Sequence, residues 1–224
     1  MNSDSNDFEI EKELKKLGYW NDIYTQNNYF GTGPTILANF AKNLIEKYSI
    51  HDILELGCGQ GRDCTFFASL NCNVVATDIS ENAINFVKNI KNEKKLDNLE
   101  LFVHDSTKPM NFKNEMFDLV YSNLAFQFFD HNQLSEIFKN IKKVMKNDSF
   151  FLFSTKKSGD KYYNFGNKVS ANAFEYKGIT RFFFDKIELE KILKKYFSIV
   201  TFEEDTHTNL DNTTSVWWKI LVQK

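Results

Sequence analysis

The chain has 224 residues, 42% hydrophobic and 26% charged, which at about 100–200 residues per domain predicts one domain with a substantial core and excludes a disulfide-stapled mini-protein. With 28 basic against 30 acidic side chains, a formal net charge of −2 and a pI near 6.1, nothing in the charge balance favours gripping a phosphate backbone, so nucleic acid is not an expected partner. No run of about 18 apolar residues marks a membrane span, and MNSDSNDFEIEKEL lacks the basic start and apolar stretch of a secretory signal; a cytoplasmic protein without membrane association is expected.

Residues 1–7 are small and polar and are expected to fray, after which Phe8, Leu14, Leu17, Trp20 and Tyr24 suggest a short amphipathic helix. The break YFGTGP holds Gly31, Gly33 and Pro34. Pro34 suits the first turn of a helix whose buried face would be Ile36, Leu37, Phe40, Ala41, Leu44, Ile45 and Tyr48. His51–Leu56 is a short apolar run ending at a glycine cluster, and Arg62–Leu70 has helical length and composition. Asn73–Asp78 predicts a second strand, with Ser80 as N-cap of a helix carrying Ala83, Ile84, Phe86, Val87 and Ile90.

Leu99–His104 and Met116–Asn123 read as the third and fourth strands, Leu134–Met145 as a helix and Ser149–Thr155 as a fifth strand. Five βα-type units predict a parallel sheet covered on both faces. From Lys156 to Phe184 the rhythm is lost: three glycines alternate with Tyr162, Tyr163, Phe165, Phe174, Tyr176 and Phe182–Phe184, a stretch too long for a plain connection. A helix over Asp185–Tyr196 restores order, and Phe197–Glu204 and Ser215–Val222 read as a closing hairpin across DTHTNLDNTT. Cys58, Cys64 and Cys72 match neither a zinc pair nor a redox dithiol in spacing, so buried free thiols are expected. Arg62 and Arg181 are the only arginines available for bidentate carboxylate recognition, and most of the 23 phenylalanines are core material.

The chemistry concentrates at Glu55-Leu56-Gly57-Cys58-Gly59-Gln60-Gly61-Arg62-Asp63, between the first strand and its helix. Glycine admits backbone angles and close ligand approach that a side chain would block, and the helix start offers unpaired N–H groups. In an open α/β sheet the ligand crevice lies at the carboxyl ends of the strands where strand order reverses, which delivers Asp78, Asp105 and Asn123 to it. Asp78, seventeen residues after Gly61, suits two ribose hydroxyls; the plainer alternative is a solvated helix-start aspartate.

ILELGCGQGRD, followed by VVATDIS, LFVHDST and FDLVYSNLAFQFF, resembles the class I S-adenosylmethionine-dependent methyltransferases over Ile53–Thr155. The GCGxGR turn, the YWNDIY element and the final VWWKILVQK are similar to the small-molecule enzymes of the tellurite-resistance and thiopurine type. The resemblance implies a doubly wound, Rossmann-like α/β fold: a seven-stranded, mostly parallel sheet with an antiparallel last strand and helices on both faces. It implies residues 1–50 as an N-terminal helical cap element and 51–224 as the methyltransferase domain of a single structural domain.

Position by position, the resemblance implies that Glu55 is the first motif's acid and that Gly57, Gly59 and Gly61 wrap the methionine part of S-adenosylmethionine. Asp78 would hold the ribose, Ile79 would pack on adenine, Asp105 would accept from its amino group with the Ser106 amide close by, and Asn123 and Leu124 would line the methionine side. Trp20 joins this donor set from the cap. Arg62 is open to two assignments, the donor carboxylate or a surface acid such as Asp63. The fourth motif reads SNLA rather than the NPPY-type sequence of enzymes that methylate exocyclic amines of flipped bases, in keeping with the acidic pI.

Methyl transfer from a sulfonium needs alignment more than proton removal, so no base is required for an acceptor that arrives ionised. His131 is the best-placed candidate base, with a local capping role for its neighbourhood as the alternative; His207 would face either substrate or solvent, and His104 and His51 are read as structural and remote. Tyr24, Tyr162, Tyr163 and Arg181 are the candidate substrate residues, with ordinary packing under a long loop as the alternative for the aromatics. A small-molecule acceptor, no metal, and a monomer or homodimer complete the expectation. The competing classes are a non-catalytic module of the same fold and an NAD(P)-dependent oxidoreductase, for which the turn should read GxGxxG.

Overall fold

The computed structural model describes residues 14–209 and 211–224; the expected fraying of residues 1–7 and the position of Phe8 lie outside the described residues. Residues 14–23 are helical (α1), and a turn-rich strap leads to α2, Ile36–Tyr48. Thr35 caps α2 by accepting from the Ala38 amide at 3.1 Å. Pro34 therefore stands just before the cap, not in the first turn as expected, because the capping position goes to the residue with a hydroxyl. The helix buries Leu37, Ala38, Ala41, Leu44 and Ile45, whereas Ile36 and Tyr48, expected inside, are 57% and 47% exposed at its two ends.

The remaining elements are β1 (Asp52–Leu56), α3 (Arg62–Ser69), β2 (Asn73–Asp78), α4 (Glu81–Lys94), β3 (Leu99–Val103), β4 (Phe117–Asn123), a 3-10 turn (Phe126–Phe128), α5 (His131–Val144) and β5 (Met145–Lys156). After them come β6 (Asn167–Ser170), β7 (Ala173–Tyr176), β8 (Ile179–Phe182), α6 (Lys186–Leu193), β9 (Ser198–Thr208) and β10 (Thr214–Gln223). The main sheet runs β3-β2-β1-β4-β5-β10-β9. Its first five strands are mutually parallel, and β10 is antiparallel to both β5 and β9. Strand order reverses between β1 and β4, which opens a crevice at their carboxyl ends.

Several boundaries and connections differ from expectation. β3 reaches β4 through residues 104–116 without a helix, so the expected five βα units are not all present. β5 starts at Met145, directly off α5, instead of at Ser149. The irregular aromatic stretch contains a separate three-stranded antiparallel sheet, β6-β7-β8. α6, capped by Asp185, ends at Leu193, short of Tyr196.

Alternation along the strands builds two apolar layers. Ile53 and Tyr121 face α2, α3 and α4, where they meet Ala41, Phe67 and Val87. Leu54 and Val120 face the α5–α6 side with Phe126, Phe138, Phe151, Phe153 and Leu189. Most of the fully buried phenylalanines thus gather under α5, where Phe151 and Phe153 stack at 4.6 Å. Trp217 and Trp218 point to opposite sides of β10, but both are half-buried, so neither is a core residue outright. Trp218 donates to the Phe184 carbonyl at 2.8 Å. All three cysteines are free and buried.

Candidate active site

The turn after β1 is tied to β2 by two backbone bonds, from the Gly57 and Cys58 amides to the Thr77 carbonyl at 2.8 and 2.9 Å. The buried Asp78 carboxylate adds two more, accepting from the Gly59 amide at 2.8 Å and the Ser80 amide at 2.9 Å. Gly57, Gly59 and Gly61 all have positive φ, 73°, 52° and 79°. A Cβ on Gly57 would lie 2.7 Å from the Ala125 Cβ, so glycine is required there by space as well as by angle; one on Gly59 would lie 2.9 Å from the Tyr24 hydroxyl, the end of a side chain that can shift, so at Gly59 the angle is the firmer constraint. Gly61 is different: its missing Cβ would meet Val87 of α4, and it does not line the crevice. The space beside its α-carbon is filled by helix packing.

The turn borders a cavity of about 750 Å³. Eleven of the twelve expected donor residues line it: Trp20, Glu55, Gly57, Gly59, Arg62, Asp78, Ile79, Asp105, Ser106, Asn123 and Leu124. Glu55, the last residue but one of β1, is buried, and its Oε2 has no hydrogen-bond partner among the described residues. Burial, with Cys64, Asp63 and Asp78 close by, pushes the Glu55 carboxyl well above its ordinary 4.5. Burial also raises Asp78, against the opposing amide bonds from Ser80 and Gly59. Asp105 uses Oδ1 to accept from the Thr107 amide and hydroxyl at 2.9 and 2.8 Å.

The strap between α1 and α2 closes one side of the cavity and is held by residues of the glycine motif itself. Gln60 donates to the Gln26 carbonyl at 2.8 Å and accepts from the Tyr29 amide at 2.9 Å. Arg62 donates to the carbonyls of Gly33 at 2.8 Å and Phe30 at 2.5 Å. Neither assignment open to Arg62 describes these bonds: backbone carbonyls take its N–H groups, although the side chain still lines the cavity. Asp63 turns instead to Thr35, accepting from its amide and hydroxyl at 2.8 Å each, and to the Tyr121 hydroxyl at 2.6 Å. Burial raises the Asp63 carboxyl, opposed by those hydrogen bonds. Sequence inspection missed this buried triad because Thr35, Asp63 and Tyr121 belong to three distant segments.

Opposite the acids stand Phe128, Lys156, Tyr162, Tyr176, Lys177 and Arg181, and Tyr24 reaches in over Gly59. Tyr163, expected beside Tyr162, is turned away. Its hydroxyl donates to Asn172 at 3.3 Å and its ring packs on Phe174 and Phe183, following a polar partner and apolar cover inside the small sheet. The two candidate bases are also elsewhere. His131 opens α5 beside a complete capping box on Asp130, packs on Phe184 and sits 3.6 Å from Glu188 in a separate surface groove. His207 lies exposed on β9, opposite Ser215. His104, read as structural, does line the cavity, and burial holds its imidazole below 6.5. Among the described residues no cluster of three or more His, Cys, Asp or Glu is placed to hold a metal ion, and no helix is long and apolar enough to cross a membrane.

Residues 53–148 match the family described as "Methyltransferase domain". Over 93 residues the chain is 32% identical to a probable S-adenosyl-L-methionine-dependent methyltransferase, TehB, of Haemophilus influenzae, a match covering 41% of this chain and 31% of TehB. Over 102 residues it is 31% identical to phosphoethanolamine N-methyltransferase 3 of Arabidopsis thaliana, covering 45% of this chain and 20% of the other. The chain thus spans a third or less of the curated relatives it matches. Among solved structures, a SAM-dependent methyltransferase from Methanosarcina mazei superposes with a TM-score of 0.69 at 20% identity, covering 81% of this chain and 96% of that one. TehB from Haemophilus influenzae does so at 0.65 and 20% identity, covering 83% and 62%. These superpositions establish the fold: a mixed seven-stranded sheet, mostly parallel, with antiparallel C-terminal strands. The motif-bearing segment, residues 53–148, is thus matched in sequence by a methyltransferase-domain family, and the whole sheet has the architecture of the class I S-adenosylmethionine-dependent methyltransferases.

Proposed function

We propose that this chain transfers a methyl group from S-adenosylmethionine to a small-molecule acceptor by in-line displacement, with residues 1–50 as a cap on a methyltransferase domain of 51–224. One observation carries the reading. The carboxyl ends of β1, β2 and β4, and the loop just after β3, deliver Glu55, Asp78, Asn123 and Asp105 to a single cavity bounded by the Gly57 and Gly59 turn. The residues fit the donor: Glu55 has an unpartnered buried oxygen to offer an ammonium group, and the two glycines let backbone come close to it. To Asp78 and Asp105 we assign the ribose hydroxyls and the adenine amino group, with Ile79 lining the same cavity.

When bound, the donor supplies a methyl group already activated by a positively charged sulfur. The chain's part is to hold the acceptor in line and exclude water, the work of the strap and of the aromatic wall formed by Tyr24, Phe128 and Tyr162. Positioning of this kind is worth about 7–11 kcal/mol in favourable cases, against about 10²–10⁴-fold for a single general base, so a crevice without His131 or His207 remains competent. A small acceptor is supported by the relative named for phosphoethanolamine and by the cavity volume of about 750 Å³.

Calorimetric titration with S-adenosylmethionine, S-adenosylhomocysteine and NADH tests the reading. Binding of the first two, weakened more than about tenfold by Asp78→Asn in protein of unchanged thermal transition, is the expected result. Binding of NADH alone would transfer the reading to an oxidoreductase, and binding of none by folded protein would transfer it to a non-catalytic module.

A further inference from the structure

Among the strand-borne and small-sheet residues the cavity is polarised along the strand order. Glu55, Asp78 and Asp105 come from the β1, β2 and β3 side, where Arg62 is spent on the Gly33 and Phe30 carbonyls, whereas Lys156, at the end of β5, and Arg181 and Lys177, from the small sheet, line the other half; Lys16 and Asp22 of α1 also border the cavity, Lys16 donating to the Phe128 carbonyl. The cationic groups are not equivalent. Lys156 is buried and already matched by Asp160, whose carboxylate lies 2.5 Å from its Nζ and also accepts from the Val216 and Tyr162 amides. Lys177 is exposed on the rim. Arg181, in contrast, is half-buried on β8, and its guanidinium has no carboxylate within ion-pair distance and no hydrogen-bond partner among the described residues.

What Arg181 does have is aromatic support. Its guanidinium carbon lies 4.9 Å from the Tyr162 ring centre and 5.6 Å from that of Phe128. Cation–π contact of this kind holds the planar group in place while using none of its N–H donors. Tyr162 is itself fixed through its amide to Asp160, the same carboxylate that neutralises Lys156. The result is a positioned fork of unused donors, carrying a positive charge that no carboxylate among the described residues balances, farther from solvent than that of Lys177.

We infer that the acceptor is an anion carrying a planar carboxylate, seated on the Arg181 guanidinium with its flat or apolar body against Tyr162 and Phe128. The inference rests on the methyl-transfer reading above and names the acceptor class for the same cavity. A guanidinium meets a carboxylate through two parallel N–H···O bonds, a match that neutral groups and ammonium side chains do not reproduce. The polarity has a second consequence: a cationic donor sits among the acids and an anionic acceptor among the bases, so each ligand meets the half of the crevice that suits it and the two attract across the reacting atoms.

Isothermal titration of the full chain, saturated with S-adenosylhomocysteine, with benzoate and its neutral isostere benzamide as probes, tests this. Benzoate is expected to bind at least about tenfold more tightly than benzamide. Arg181→Gln should reduce benzoate to the benzamide level, and Arg181→Lys should recover only part of the difference, since an ammonium is a point charge without the fork. Equal affinities for the two probes in the unmodified protein, no benzoate binding, or a preference that survives in Arg181→Gln would each overturn the inference while leaving the donor reading intact. The acid–amide comparison in the unmodified protein needs no variant, so an unfolded Arg181→Gln does not protect the idea. Failure of the unmodified protein to bind S-adenosylhomocysteine would instead sink the methyl-transfer reading, and this inference with it.

Discussion

Gly61 offers the sharpest test of how the glycine motif divides its work. It caps α3 without a side chain, at φ 79°, and its carbonyl accepts from the Thr65 hydroxyl at 2.7 Å. A Cβ added there would stand 2.7 and 2.8 Å from the two γ-carbons of Val87 and 3.3 Å from the Cys64 Sγ. Val87 is fully buried in α4, and a β-branched side chain in a helix has one strongly preferred χ1, so it cannot swing both methyls away. Gly61→Ala therefore incurs about 1–2 kcal/mol for a left-handed conformation and about 1–3 kcal/mol for overpacking, together about 2–5 kcal/mol. Against a domain stability of about 5–15 kcal/mol this is a large and measurable loss.

The overlap can be separated from the backbone strain by removing its partner. Val87→Ala alone should cost about 1–3 kcal/mol through its cavity, but in the Gly61→Ala background the same change makes room for the new methyl. The double variant should be less destabilised than the sum of the singles by about 1–3 kcal/mol. Urea unfolding followed by circular dichroism measures all four proteins, and calorimetry should find the donor affinity of the double variant close to that of the unmodified chain. Additive losses, an unchanged Gly61→Ala, or a folded double variant that no longer binds donor would refute the assignment of Gly61 to packing.

Glu55 sets the acid–base behaviour of the empty crevice. Its carboxyl is raised by burial, so the stability it contributes is present below its ordinary value of 4.5 and is lost as pH rises through the folded value. Glu55→Gln should therefore make the ligand-free protein more stable than the unmodified chain at neutral and alkaline pH, with the two converging below 4.5; urea unfolding across pH checks this, and a difference that grows on acidification contradicts it. Gln60→Ala deletes the two bonds that pin Gln26 and Tyr29, each worth about 0.5–1.5 kcal/mol. Hydrogen exchange across residues 24–33 should quicken about tenfold or more while exchange in β1 and β4 stays as it was; equal quickening everywhere would mean that Gln60 supports the whole fold and not the strap.

What the sequence made legible was local. Asn73–Asp78 and the Ser80 cap are where patterning puts them, because a buried strand and a serine before an acidic first turn are each decided within a few residues. The acidic half of the cavity follows from this, since its residues sit at strand ends and strand ends are readable. The small sheet was not read, although Lys177-Gly178 between Tyr176 and Ile179 carries the signal of a two-residue hairpin, with φ of 53° and 76°. Four-residue strands with mixed burial give too short a period to recognise. His131 failed for a different reason: proximity in sequence to β4 says nothing about direction, and the first turn of α5 points its imidazole toward α6.

The motif ILELGCGQGRD also shows why a recognised pattern understates what its residues do. Gly57 and Gly59 meet the cavity, Gly61 meets α4, Gln60 and Arg62 hold the strap, and Asp63 reaches back to the cap of α2 and across to Tyr121. Ligand binding at the turn and closure of the strap are thus built on one short segment. If a ligand bound at the turn shifts the bonds of residues 24–33, then by linkage a strap held closed changes the affinity for that ligand by the same free energy. The strap thus borders the cavity together with the glycine turn, although only Trp20 and Tyr24 of the N-terminal segment announced themselves in the sequence.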